Sequence, residues 1–160
     1  ISTSVMAYAL KQNEIDFKIK GIVTSMEEDD TFFNQVKTIT DKNLVKYINL
    51  LKSSRKTKYV NGMLASYYHK IPKKNYEFIF IDGPTLWGAL EKKSGSEKTF
   101  NCDILTILSK WNVIPKCILL DKKIGTMWSL QKCLPETKFD YNNVMAISEI
   151  KYKKGQKIIL

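Results

Sequence analysis

The stretch "YEFIFIDGP", residues 76–84, decides how the fold is read. Phe78 to Ile81 form an apolar run that stops abruptly at Asp82, Gly83 and Pro84. A short apolar run bounded by turn residues reads as a strand covered on both faces. Gly83 lets the backbone pass close to a ligand, and Pro84 stiffens the turn. The acid at the strand's end either shapes that turn or faces something that is not protein.

The design recurs along the chain. Pro115 introduces "CILLD", residues 117–121, a second buried strand ending on an acid, Asp121. "FKIKGIVTSM", residues 17–26, has the β-forming residues of a strand and leads into Glu27. Helical patterns alternate with these strands. "STSVMAYALKQ", residues 2–12, places Val5, Met6, Ala9 and Leu10 on one face, with Ser2 or Thr3 as cap. "EEDD", residues 27–30, sets four acids where a helix N-terminus prefers negative charge, and predicts a helix through Phe32, Phe33 and Val36. Residues 44–51, 102–111 and 124–134 read as further helices, and "TKYVNGML", residues 57–64, as a short strand. Residues 92–98 read as a surface loop, and residues 142–160 as two strands turning at Lys154-Gly155.

Strands alternating with helices predict an α/β fold: a doubly wound, mostly parallel, Rossmann-like sheet with an antiparallel C-terminal strand. In such sheets ligands bind beyond the carboxyl ends of the strands. Glu27, Asp82 and Asp121 all fall there, which points to a shared ligand cleft.

Bulk properties bound the function. The 160 residues, 44% of them hydrophobic, suit one globular domain with a full-sized core. No apolar run approaches the roughly 20 residues of a membrane span, and no membrane association is expected. Cys102, Cys117 and Cys133 match neither a disulfide framework nor a zinc knuckle, and read as reduced thiols in a cytoplasmic protein. The net charge of +10 suggests nucleic acid, but Arg55 is the only arginine. Specific readers of bases and phosphates use arginine's planar fork, so a solvated lysine surface without a specific nucleic-acid partner is expected.

The motifs and their order resemble the class I S-adenosylmethionine-dependent methyltransferases. "FIFIDGP", residues 78–84, is similar to the fourth strand of a bacterial branch ending in "IDGP". "GIVTSMEED", residues 21–29, resembles its second strand, "CILLDKKIG", residues 117–125, its fifth, and the closing residues its terminal hairpin. "ISTSVMAYAL", residues 1–10, looks like the start of the helix after the family's glycine-rich loop. The likeness spans nearly the whole chain, as a single methyltransferase-like domain over residues 1–160. The family's first strand and glycine loop would precede Ile1, so the domain is expected to be N-terminally incomplete.

The resemblance implies methyl transfer from S-adenosylmethionine to a small-molecule or saccharide acceptor. It assigns Glu27 to the cofactor's ribose hydroxyls and Ser2 and Thr3 to its carboxylate. Met63 and Leu64 match the zone that packs on adenine. Asp82, with Gly83 and Pro84, would lie near the sulfonium and amino group or act on the substrate. Trp87 and Asp121 would line the substrate side. Because the family's order sets the second and fourth strands beside the first, Glu27 and Asp82 are expected to flank the cofactor. Asp121 with Asp82 also suits Mg²⁺, yet Lys122 follows where the metal-dependent subgroup has asparagine, so no metal is expected. His69, the sole histidine, is either a general base or a surface residue. Two other readings stay open: a relative that has lost cofactor binding, and a basic nucleotide- or RNA-binding α/β protein.

Overall fold

A computed structural model describes residues 2–83 and 99–160. Pro84, Trp87 and the loop expected at 92–98 lie outside the described residues. The protein is α/β, with both parallel and antiparallel strand pairs. It divides into two compact units, Ile1–Ser54 with His69–Ile71, and Arg55–Tyr68 with Pro72–Leu160.

In the first unit, α1 (Ser2–Phe17) precedes β1 (Val23–Glu27), α2 (Asp30–Ile39) and β2 (Ile48–Lys52). Strands β1 and β2 pair in parallel, Val23 opposite Ile48 and Glu27 opposite Lys52. Ala7, Leu44 and Tyr47 are buried here, with Leu10, Val23 and Ile48 packed against them. Gly21 is required by this packing, because a Cβ there would stand 2.7 Å from Leu10 Cδ2. Asp29 caps α2 by accepting from the backbone N–H groups of Thr31 at 2.7 Å and Phe32 at 3.1 Å.

Two expectations change in this unit. Residues 18–22 are irregular, so the first strand begins at Val23 and Phe17 closes the preceding helix. The helix expected over 44–51 is a 3-10 turn, Val45–Tyr47, followed by β2. Leu44, Tyr47 and Ile48 have helical spacing, but pairing with β1 satisfies the backbone of 48–52 and overrides it.

The second unit begins with β3 (Arg55–Val60) and β4 (Met63–Tyr68), an antiparallel hairpin. The expected single strand at 57–64 is therefore its turn and flanks. Asn61 and Gly62 sit at φ 47° and 72°, the two positive values that a two-residue hairpin loop demands. Strand β6 (Phe100–Asn101) joins β4 in parallel.

A second sheet runs in the order β5-β7-β9-β8, from β5 (Phe78–Ile81), β7 (Cys117–Asp121), β8 (Lys138–Asn142) and β9 (Ile147–Lys151). Strands β5 and β7 are parallel neighbours, as their apolar runs predicted. β9 is antiparallel to both β7 and β8. The closing hairpin thus turns between Asn142 and Ile147, not at Lys154-Gly155. Gly155 forms only a later turn, at φ 88°. Phe78 is exposed at 43%, so β5 is less fully covered than its apolar run suggested.

Between these strands, α3 (Asp103–Leu105) continues as a π-helical turn to Lys110, and α4 (Ile124–Cys133) follows β7. Ile81, Ile104, Leu105, Ile118, Leu120, Leu130 and Leu134 belong to one buried core. At about 25 cal/mol per Å² of apolar surface removed from water, each fully buried leucine or isoleucine contributes roughly 1.5–3 kcal/mol.

Candidate functional site

In the second unit, the β5–β7 ladder pairs Ile81 with Leu120. The next residues are Asp82 and Asp121, so the two acids leave adjacent strand ends about 4.8 Å apart in the pairing direction. Asp82 is exposed and Asp121 half-buried. Beside Asp121 the chain turns through Lys122, at φ 44°, whose N–H donates to the Ala146 carbonyl at 2.8 Å. Lys122 itself is exposed. Among the described residues, no three His, Cys, Asp or Glu side chains converge on a metal site.

Gly83 is held from two sides. Asn101 Nδ2 donates to its carbonyl at 2.7 Å, and a Cβ on Gly83 would stand 2.7 Å from the Tyr68 hydroxyl oxygen. Behind this contact lies a buried polar cluster that sequence reasoning missed. Asn101 Nδ2 also donates to Asp103 Oδ2 at 3.0 Å, and Asn101 Oδ1 accepts from the Asp103 N–H at 3.0 Å. Asp103 Oδ1 accepts from the Tyr68 N–H at 3.0 Å.

Burial pushes the Asp103 carboxyl up to about 7, although the Asn101 amide, the Tyr68 N–H and the charge of Lys58 favour its anion. Burial likewise pushes the adjacent Cys102 thiol up to about 12, so it stays a neutral packing group. The local signal for the cluster is "NCD", residues 101–103, polar residues flanking a cysteine. It acquires meaning only once β6 is zipped to β4, where the Cys102 N–H donates to the Ser66 carbonyl at 2.9 Å.

Met63 and Leu64, expected beside an adenine ring, open strand β4. Met63 packs against the buried core of this unit. The carboxyl end of the strand beside β1 is instead Lys52-Ser53-Ser54, in the first unit.

There, Glu27 ends β1 with its carboxylate turned back on the chain. Its Oε1 accepts from the Glu28 N–H at 2.8 Å and the Asp29 N–H at 3.0 Å. These bonds orient the carboxylate and use one of its oxygens. The cap of α2 is Asp29, not Glu27. The Glu27 carbonyl accepts from the Ser53 N–H at 3.0 Å, and buried Ser53 Oγ accepts from the Lys70 N–H at 3.0 Å. Lys52 Nζ lies 2.6 Å from Asp30 Oδ1.

Ser2 and Thr3 are the first two residues of α1. Thr3 is buried and its hydroxyl lies 2.8 Å from that of Ser25, in the middle of β1. His69 is exposed, and its backbone N–H donates to the Ser54 carbonyl at 2.8 Å. No described helix is long and apolar enough to cross a membrane.

Comparison with protein-family models, with curated proteins and with solved structures finds no match to this chain.

Proposed function

We propose that the protein is a methyltransferase-like enzyme that transfers the methyl group of S-adenosylmethionine to a small-molecule or saccharide acceptor, on a doubly wound Rossmann-like sheet. The observation that carries this reading is the sheet order β5-β7-β9-β8. Parallel neighbours β5 and β7 end in Asp82 and Asp121, and an antiparallel C-terminal hairpin follows on the far side of β7. That is the relation the resemblance implies for the family's fourth strand, fifth strand and terminal hairpin. The parallel pair of the first unit, whose β1 ends in Glu27, supports the reading in the same way.

The donor and acceptor set fits the cofactor's chemistry. S-adenosylmethionine carries a sulfonium and an ammonium, which an exposed carboxylate such as Asp82 attracts. Its ribose hydroxyls are donors, which an oriented carboxylate such as Glu27 accepts. The bound cofactor would supply an electrophilic methyl group, and the protein's part would be placement and orientation. Lys52, Ser53 and Ser54 replace Met63 and Leu64 as candidates for the nucleoside's surroundings, since they follow the strand that pairs with β1.

Calorimetric titration of the natural full-length protein with S-adenosylmethionine tests the reading. Binding is expected, and Glu27→Ala removes charge-assisted hydrogen bonds worth about 1.5–3 kcal/mol, roughly ten- to hundredfold in affinity. Unchanged affinity in Glu27→Ala takes Glu27 out of the site. A second reading, a relative that keeps the fold without the cofactor, draws on the partners that Glu27 Oε1 and Thr3 already have inside the protein. Absence of binding by the full-length protein selects that reading.

A further inference from the structure

We infer that Asn101 and Asp103 are positioning residues that fix the backbone at Gly83 and thereby set how the neighbouring Asp82 carboxylate is presented. The functional consequence for Asp82 rests on the proposed cofactor reading; the positioning itself does not.

Asn101 is 2% exposed and Asp103 8% exposed. Burying a carboxamide and a carboxyl costs free energy unless their polar atoms are paired. Here every side-chain nitrogen and oxygen of the two residues has a partner, and three of the four contacts close inside the cluster or on the Tyr68 backbone. The remaining contact reaches out to the Gly83 carbonyl, and it is the shortest of the four. Packing alone is served as well by an apolar pair of similar volume, which is often neutral or stabilising in place of buried polar groups. What an apolar pair cannot do is hold a carbonyl in a strand-end loop.

The Tyr68 hydroxyl oxygen would stand 2.7 Å from a Cβ on Gly83. Gly83 is thus clamped by the Asn101 amide and the Tyr68 hydroxyl, one residue from the exposed acid. A carboxyl whose charge changes near neutrality sits behind the clamp. Asn101 Nδ2 has two N–H groups, one for the Gly83 carbonyl and one for Asp103 Oδ2, so the seating of the amide on Gly83 depends on how strongly Asp103 holds its other hydrogen. Loss of the carboxylate charge weakens that hold. Among the described residues, the titratable groups beside this cluster include Lys58 on β3, Cys102 next to Asp103, Cys133 on α4, and the Tyr68 phenol at Gly83. Burial keeps the Cys102 thiol neutral, with its value pushed up to about 12.

Backbone NMR of the natural full-length protein, titrated from pH 5 to 9 without cofactor, tests the clamp. The Gly83 amide shift is expected to move with a midpoint near that of the Asp103 side-chain carboxyl carbon. In Asp103→Asn the Gly83 inflection is expected to vanish, while the amides of Ile79 and Leu119 stay unchanged and report an intact sheet. Asn101→Gln, which keeps the amide but displaces it by one methylene, is expected to shift Gly83 and Asp82 and to weaken the pH response. A Gly83 shift that stays flat while Asp103 titrates, or that moves identically in Asp103→Asn, overturns the inference. With S-adenosylmethionine, Asp103→Asn is expected to flatten the pH dependence of affinity between pH 6 and 8. If the protein does not bind the cofactor, the proposed function falls and the Gly83 response stands or falls separately.

Discussion

Ile81 lies opposite Leu120 in a parallel ladder, so Asp82 and Asp121 emerge side by side at the carboxyl edge of one sheet. In the proposed function this pair of carboxylates lies near the cofactor's positive charge. On that proposal the pair separates ligands by charge. S-adenosylmethionine carries a positive sulfur, whereas S-adenosylhomocysteine has lost it with the methyl group. Removing an exposed carboxylate about 4 Å from a cation costs about 1 kcal/mol in the high dielectric around it, roughly fivefold in affinity. Asp82→Asn is expected to weaken binding of the sulfonium form by that factor and of the neutral thioether by clearly less. Calorimetry with both ligands measures the difference, and an equal loss for both would remove Asp82 from the sulfur's surroundings.

A second prediction concerns stability alone. Thr126, in the first turn of α4, is 1% exposed and its hydroxyl has no partner among the described residues. An unpaired buried hydroxyl costs about 1–3 kcal/mol of desolvation, and a methyl of the same shape does not. Valine keeps the β-branch and the volume. Thr126→Val is therefore expected to stabilise the fold by about 1 kcal/mol, seen as a higher urea midpoint with unchanged slope. A lower midpoint would mean that the hydroxyl has a partner that matters to folding.

The legible parts of this chain are those whose signal is local. Phe78–Ile81 and Cys117–Asp121 are uninterrupted apolar runs with an acid behind them, and both form strands that pair as neighbours. The acids of residues 27–30 announce α2, although Asp29 does the capping and Glu27 turns the chain. Residues 44–51, expected as a helix, form a 3-10 turn and a strand. Their spacing suits a helix and a strand alike, and only the distant partner β1 decides between them. The Asn61-Gly62 hairpin was a different kind of miss, because that dipeptide is itself a strong local turn signal. Of the candidate site, the strand-end acids could be read from position. Asn101 and Asp103 could not, since nothing in "NCD" indicates that β4 and the Gly83 loop converge on it.

The last prediction follows from the charge state of Asp103. Its folded carboxyl is raised to about 7, against an ordinary value of 3.8. Between those values the folded protein binds a proton that the unfolded chain has released. Stability from this group is therefore fully present below about pH 4 and is lost as pH rises through 7. A difference of about three pH units sets an upper bound of about 4 kcal/mol on the change. Glu14, held below the usual carboxylate range chiefly by the Tyr47 hydroxyl, and Asp29, held there chiefly by the Phe32 N–H, act in the opposite sense. Their contributions are lost only as pH falls through their lowered values. Stability is thus expected to peak on the acidic side of neutrality and to decline from pH 5 to pH 8. Urea unfolding at half-unit pH steps measures this, with Asp103→Asn as the comparison. The variant carries no titrating group at that position, so its midpoint is expected to lose most of the decline. A midpoint that rises with pH in the unaltered protein, or an equal decline in the variant, would show that Asp103 is already ionised in the folded state at pH 5.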